Sequence, residues 1–188
     1  DAGVHAKEQI LNILTDIEIT EKLISSIDKL LGNTIVINSF NQINNDFHAR
    51  YSAKERTYVY STMDNQKKLP YLFNSTHQHN SSLDLEKLNE ISQLFLGKND
   101  FSSFAKVEKN KNPEREIFTS VWRRNSNIFT YTITGNSFLR NMVRNLVGVQ
   151  LALKENKLTI KEIKSQLEKP EGKRLNDRAP ANGLTLGK

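Results

Sequence analysis

The sequence predicts an α+β fold: an open, mostly antiparallel mixed sheet with helices on one side. Three observations predict it. Strand-like runs and helical apolar stripes mix along the chain. Two of those runs, 117–123 and 128–134, are separated only by Arg124-Asn-Ser-Asn127, a hairpin signature that requires an antiparallel pair. The mixing and the antiparallel pair exclude a pure Rossmann or TIM-barrel pattern, and neither G-x-G-x-x-G nor a Walker A sequence occurs.

The elements follow in order. Leu23, Ile27, Leu30 and Leu31 recur at helical spacing, which predicts a helix over about 21–31 with Gly32 as its C-cap. Thr34 to Phe40 is β-branched and reads as a strand. A polar turn, 41–46, follows, and composition and charge shift there. In 47–61 the second half alternates, with Tyr58 and Tyr60 on one face of a strand and Thr57 and Val59 on the other. Residues 62–82 read as irregular, with Tyr71, Leu72 and Phe73 as their buried members. Leu85, Leu88, Ile91, Leu94 and Phe95 form a helical stripe capped by Asp84 or Ser82 and ended by Gly97. Phe101 and Phe104 flank a serine turn. After the hairpin, 136–153 reads as one helix with Phe138, Leu139, Met142, Val143, Leu146 and Val147 on one face. Leu158 to Leu167 reads as a shorter helix stopped by Pro170, and the tail ends in a short strand.

Composition narrows the function classes. The 188 residues fit one domain or two small packed ones, and 37% apolar content can build a core. The absence of cysteine excludes a disulfide scaffold, thiolate-held metal and a cysteine nucleophile. No apolar run reaches membrane-spanning length and no signal peptide is visible, so the expectation is a soluble cytoplasmic protein. Net charge is +6, unevenly spread: residues 1–47 carry three lysines against seven acidic residues, a net of −4, which leaves +10 in 48–188. A basic body with aromatics at Tyr51, Tyr58, Tyr60, Phe101, Phe104 and Trp122 suits a polyanion, and RNA in particular.

Several side chains are candidates for chemistry, each with a plainer reading beside it. Asp1 precedes Ala2 and Gly3; a carboxylate there is a local cap or a positioned nucleophile. Arg140 and Arg144 are four apart, which on a helix is one side. They form a solvated face unless one turns inward, where a guanidinium fork holds a carboxylate or phosphate. Tyr58 is core, or a ring that stacks on a base with a hydroxyl that moves a proton. His77 and His79 form His-x-His, but spacing supplies no third ligand, so no metal is expected. His5 and His48 are isolated.

Four segments stand in a telling order: 1–6 (DAGVHA), 47–60 (FHARYSAKERTYVY), 136–148 (NSFLRNMVRNLVG) and 178–186 (RAPANGLTL), with 97–104 (GKNDFSSF) as a fifth. Together they resemble the tRNA pseudouridine synthases of the TruA family along the whole chain. The resemblance implies two ferredoxin-like halves with a cleft between them, here 1–45 as the remainder of the first half and 46–188 as the second. It implies isomerisation of uridine to pseudouridine in the tRNA anticodon arm, at positions 38 to 40, with no cofactor and by a homodimer. Asp1 matches the family's catalytic aspartate, Tyr58 its active-site tyrosine and Arg144 the arginine paired with the aspartate. Phe138, Leu139, Leu184 and Leu186 are expected to wall the pocket. Arg50, Arg56, Arg140 and the 169–178 basic stretch are expected to meet the tRNA backbone. In the family the first motif normally follows Gly-Arg-Thr and an N-terminal strand–helix–strand portion. The chain is therefore expected to be incomplete as an enzyme. The alternatives are a non-catalytic RNA-binding module of the same fold, an inactive fragment, or a metal-dependent nuclease or deaminase with clustered ligands.

Overall fold

The computed structural model describes residues 1–64, 69–108, 111–153, 158–168, 170, 175 and 177–187. It divides into two compact units, Asp1–Gln9 with Lys54–Lys188, and Ile10–Ala53.

The larger unit is built on one sheet. Its strands are β1 (His5–Ala6), β2 (Arg56–Met63), β3 (His77–Gln78), β4 (Gly97–Asp100), β5 (Glu114–Asn125), β6 (Ile128–Gly135) and β7 (Leu184–Leu186). Their order is β1-β7-β2-β6-β5-β4, with β3 also on β2. The β1–β7 and β2–β3 pairs are parallel and two residues long; the other pairs are antiparallel. The mixed, mostly antiparallel sheet expected from the sequence is thus present. Asn125 pairs with Ile128, and Ser126 takes the positive φ (52°) that a two-residue hairpin loop demands.

Period-two alternation sorts the side chains. Leu184, Tyr60, Tyr131 and Trp122 lie opposite one another across four strands, on the face that carries the core. Trp122 stacks on Tyr131 at 5.0 Å between ring centres. Every polar tip in this row is satisfied: the Trp122 indole N–H donates to Gln150 (2.7 Å), the Tyr131 hydroxyl meets Ser120 (2.7 Å), and the Tyr60 hydroxyl donates to the Pro180 carbonyl (3.0 Å).

Helix α2 (Leu85–Gln93) starts at Asp84, whose carboxylate accepts from the Glu86 and Lys87 amides. It also covers an edge. Beyond β4, strand β5 has free main-chain groups, and polar side chains of α2 take them. Asn89 bonds both the N–H and the carbonyl of Trp122, while Ser92 and Gln93 donate to the Ser120 carbonyl. These bonds occupy part of the β5 edge that another chain could otherwise pair with. Helix α3 (Met142–Ala152) is buried on nearly all sides, and α4 (Ile160–Glu168) opens on a capping box between Thr159 and Glu162.

Helix α2 ends at Gln93 with Leu94 as its C-cap, so Gly97 opens β4 instead of ending the helix. Two further readings in this unit need correction. The helix expected over 136–153 begins only at Met142. Residues 136–140 continue away from β6 instead: Asn136 exchanges bonds with Glu116, and the Arg140 carbonyl accepts from the Lys106 amide (3.0 Å). Asn141 then turns the chain with a left-handed φ of 64°. Apolar residues spaced as on a helix hid that break. Second, Tyr71 and Phe73 are 79% and 65% exposed, and Leu72 between them is only partly buried. Their turn docks through its main chain, with the Phe73 and Thr76 carbonyls accepting from Asn182 and the Asn74 carbonyl from His5.

In the smaller unit, α1 (Glu21–Leu31) has the expected bounds. The Thr20 hydroxyl caps it, and Gly32 ends it at φ 67°. The strand expected at Thr34–Phe40 is not there; these residues are irregular, with Ile35 and Val36 largely exposed. A strand needs a neighbour to satisfy its backbone, and no other strand lies within residues 10–53.

Candidate active site

The site is built on a turn, a helix and two strands of the larger unit. At the start of the chain the Val4 amide donates to the Asp1 carbonyl (3.2 Å), and Gly3 sits at φ 81°. That is a turn with positive φ at its third position, where glycine is the residue that fits without strain. A Cβ at Gly3 would stand 3.3 Å from that of Ala181, so the turn rests on the segment leading into β7. Strand β1 is held on by β7, with the Lys7 amide donating to Leu186 (2.8 Å).

The turn presents the Asp1 carboxylate to Arg144 in the first turn of α3. Arg144 Nη1 donates to Asp1 Oδ2 at 2.9 Å. The side chains are 14% and 32% exposed, so the pair is partly withdrawn from solvent, and its attraction is screened less than at an open surface. Arg144 is held from behind as well. Its Nε donates to the Ala179 carbonyl (2.8 Å), and its own main-chain carbonyl accepts from the Ala179 amide (3.0 Å). Burial lowers Arg144 from its ordinary pKa, opposed by the facing Tyr60, but a guanidinium starts so high that the charge persists at neutral pH. Burial pushes the Tyr60 hydroxyl far up, so it stays a neutral donor to Pro180.

Tyr58 and Phe138 meet edge to face, 5.2 Å between ring centres with planes at 88°. Burial raises the Tyr58 hydroxyl, with the nearby Arg56 charge pulling the other way. Leu186 lies directly opposite Tyr58 on the neighbouring strand, and Leu184 opposite Tyr60. Leu139 packs against the core from the segment before α3.

The candidates thus fall into groups. Asp1 is joined to Arg144, and Tyr58 to Phe138 and Leu186. Arg56 opens β2 beside Tyr58. Arg140 does not share a helix face with Arg144: it precedes the helix and is exposed. Arg50 belongs to the 10–53 unit, its guanidinium 5.7 Å from the Tyr51 ring centre. Of the 169–178 stretch, Arg178 is exposed, while Lys169, Lys173 and Arg174 lie outside the described residues. His77 and His79 face each other at 5.9 Å, and among the described residues no three His, Cys, Asp or Glu are placed to hold a metal. Nor is any described helix long and apolar enough to cross a membrane.

Sequence reading passed over Tyr60 and Ala179. Tyr60 was visible as the partner of Tyr58 on one strand face and as one aromatic of the basic body, but not as a neighbour of Arg144. Ala179 acts through its main chain, which no side-chain pattern reveals.

Residues 91–188 match the family model for tRNA pseudouridine synthase. Among curated proteins, the chain is similar to tRNA pseudouridine synthase A of Dictyoglomus thermophilum, 35% identical over 100% of this chain and 78% of that protein. It is similar to tRNA pseudouridine synthase A of Staphylococcus carnosus, 33% identical over 100% of this chain and 71% of that protein. It also resembles tRNA pseudouridine synthase A 2 of Bacillus thuringiensis subsp. konkukian, 30% identical over 99% and 77%.

Proposed function

This chain belongs to the tRNA pseudouridine synthases, and from that premise we propose that it isomerises uridines 38, 39 and 40 of the tRNA anticodon arm, with Asp1 as the catalytic carboxylate. The Asp1–Arg144 pair carries this reading. An opposite charge 2.9 Å away favours the ionised carboxylate and fixes its direction. An RNA-binding module has no use for a half-buried carboxylate aimed by an arginine that is itself clamped.

The chemistry conserves atoms. The N1–C1′ bond of the uridine breaks, the uracil turns while held, and C5 bonds to C1′. The proton lost from C5 goes to solvent, and N1 gains one. The target nucleotide leaves the stack to expose this junction. Tyr58, half-buried and braced by Phe138, is placed in the proposal against the uracil ring, with its neutral hydroxyl available to relay the C5 proton by passing its own proton to solvent as it takes that one up. Leu184 and Leu186 supply apolar wall on the adjoining strand, and Leu139 backs it. Arg56, Arg140, Arg50 and Arg178 are proposed to meet phosphates, where each lost contact weakens binding and flattens its salt dependence. The proposal includes a homodimer, whose two basic surfaces one tRNA spans.

The test uses an anticodon-arm RNA carrying tritium at C5 of the target uridine. The full-length protein should release the label to water, and Asp1→Ala should abolish release while RNA binding stays mostly intact. An Asp1→Ala protein that still releases tritium removes Asp1 from the reaction.

A further inference from the structure

Gly148 stands in the middle of α3, where glycine costs roughly 1 kcal/mol relative to alanine. Its backbone is not in the left-handed region, so conformational freedom is not the reason for it. Space is. A Cβ at Gly148 would lie 1.1 Å from the Asp177 carbonyl oxygen, 2.3 Å from its carbon and 3.1 Å from the Ala179 nitrogen. All three are main-chain atoms, so no side-chain rotation relieves the overlap. The strip 177–179 therefore lies directly on the helix surface at Gly148.

Arg144 is four residues earlier, one turn away on the same face. The strip that rests on Gly148 is the one that grips Arg144, through the Ala179 amide on the Arg144 carbonyl and the Ala179 carbonyl on Nε. Pro180 continues it to the Tyr60 hydroxyl. With Nε committed to Ala179, the guanidinium plane is fixed, and Nη1 reaches Asp1.

We propose that Gly148 is a positioning residue for the reaction: its missing side chain sets how deeply 177–179 docks on α3, and that depth sets the aim of Arg144 at Asp1. The inference rests on Asp1 being the catalytic carboxylate. A side chain at 148 lifts Ala179, withdraws the acceptor of Nε and lets the guanidinium swing off the carboxylate.

The test compares Gly148→Ala with the unaltered full-length protein, by tritium release under single-turnover conditions at saturating RNA. A misplacement of about 1 Å predicts a fall of about 100-fold in the chemical step, with RNA affinity changed by less than about 3-fold. The acid limb of the pH–rate profile moves to higher pH, because a carboxylate that loses its guanidinium protonates more readily. In an Arg144→Lys background, Gly148→Ala adds little further loss if it acts through Arg144. Ala179→Gly serves as a second variant that introduces no overlap, so it does not depend on Gly148→Ala folding. It loosens the strip and predicts a loss of several-fold with the same shift of the acid limb. An unmoved acid limb in both variants, or a fully additive loss with Arg144→Lys, overturns the proposal. Failure of the underlying reading shows separately, as tritium release by Asp1→Ala.

Discussion

Leu30 in α1 and Leu146 in α3 are the same residue in the same kind of element, each within an apolar series at helical spacing. Leu30 is 87% exposed and Leu146 is fully buried. Helix α1 buries none of its residues, although its bounds and its Gly32 C-cap are those its sequence specifies. Around it, Ile35 and Val36 share the exposure, and the 10–53 unit is joined by side-chain bonds such as Asp28 to the Ile37 amide and Asn12 to the Ala49 amide. In the larger unit, sheet and helices enclose a core in which Trp122, Tyr60, Tyr131, Phe101, Phe104 and Phe129 are buried almost completely. Local chemistry decides where a helix starts and stops. Partners decide whether its apolar side stabilises anything.

Hydrogen exchange tests this contrast most severely. Amides of β2 and β6 should exchange only on global unfolding, while those of residues 34–36 and 38–43 should exchange at close to unprotected rates, orders of magnitude faster. Protection of 34–43 comparable to β6 would break the comparison. Next in size are matched truncations. Trp122→Ala should cost about 3–5 kcal/mol in urea unfolding, since it empties the stack on Tyr131 and strips Gln150 of its donor. Leu30→Ala should stay within about 0.5 kcal/mol. The smallest effect is a pH slope. Burial, then the neighbouring His79, lowers His77 to about 4, so the folded protein holds it neutral while the unfolded chain protonates near 6.5. Between these values the unfolded state binds more protons, so stability falls as pH drops from about 6.5 to about 4 and then levels off. Thermal melts of His77→Gln should show a shallower acid slope over that window.

What was legible follows the same division. The 21–31 helix with its Gly32 end, the cap at Asp84 or Ser82 and the 117–134 hairpin are set by neighbours within a few residues, and sequence displays them. Phe138 and Leu139 continue the spacing of α3, so the break at Asn141, where a non-glycine residue adopts positive φ, was hidden. That misreading placed Arg140 on the helix beside Arg144. Tyr71 and Phe73 were read as buried because they are aromatic, yet their turn is fastened by its carbonyls. The Asp1–Arg144 pairing joins residues 143 apart in sequence and came from motif resemblance; no local rule reaches that far. Gly148 was not singled out, because the main chain it meets at Asp177 and Ala179 lies about thirty residues away and no local pattern points to it.

The attachment of β1 has a consequence for timing. β1 is fastened to the sheet by β7, the last of the described strands in order of synthesis. A ribosome adding about 5–20 residues per second needs roughly 10 to 40 s to travel from Asp1 to Leu184. Until β7 emerges, the carboxylate has a sequence but no address. A nascent chain therefore completes the Asp1–Arg144 arrangement only at the end of this interval, because Ala179, which holds Arg144, and β7, which holds β1, are both made late.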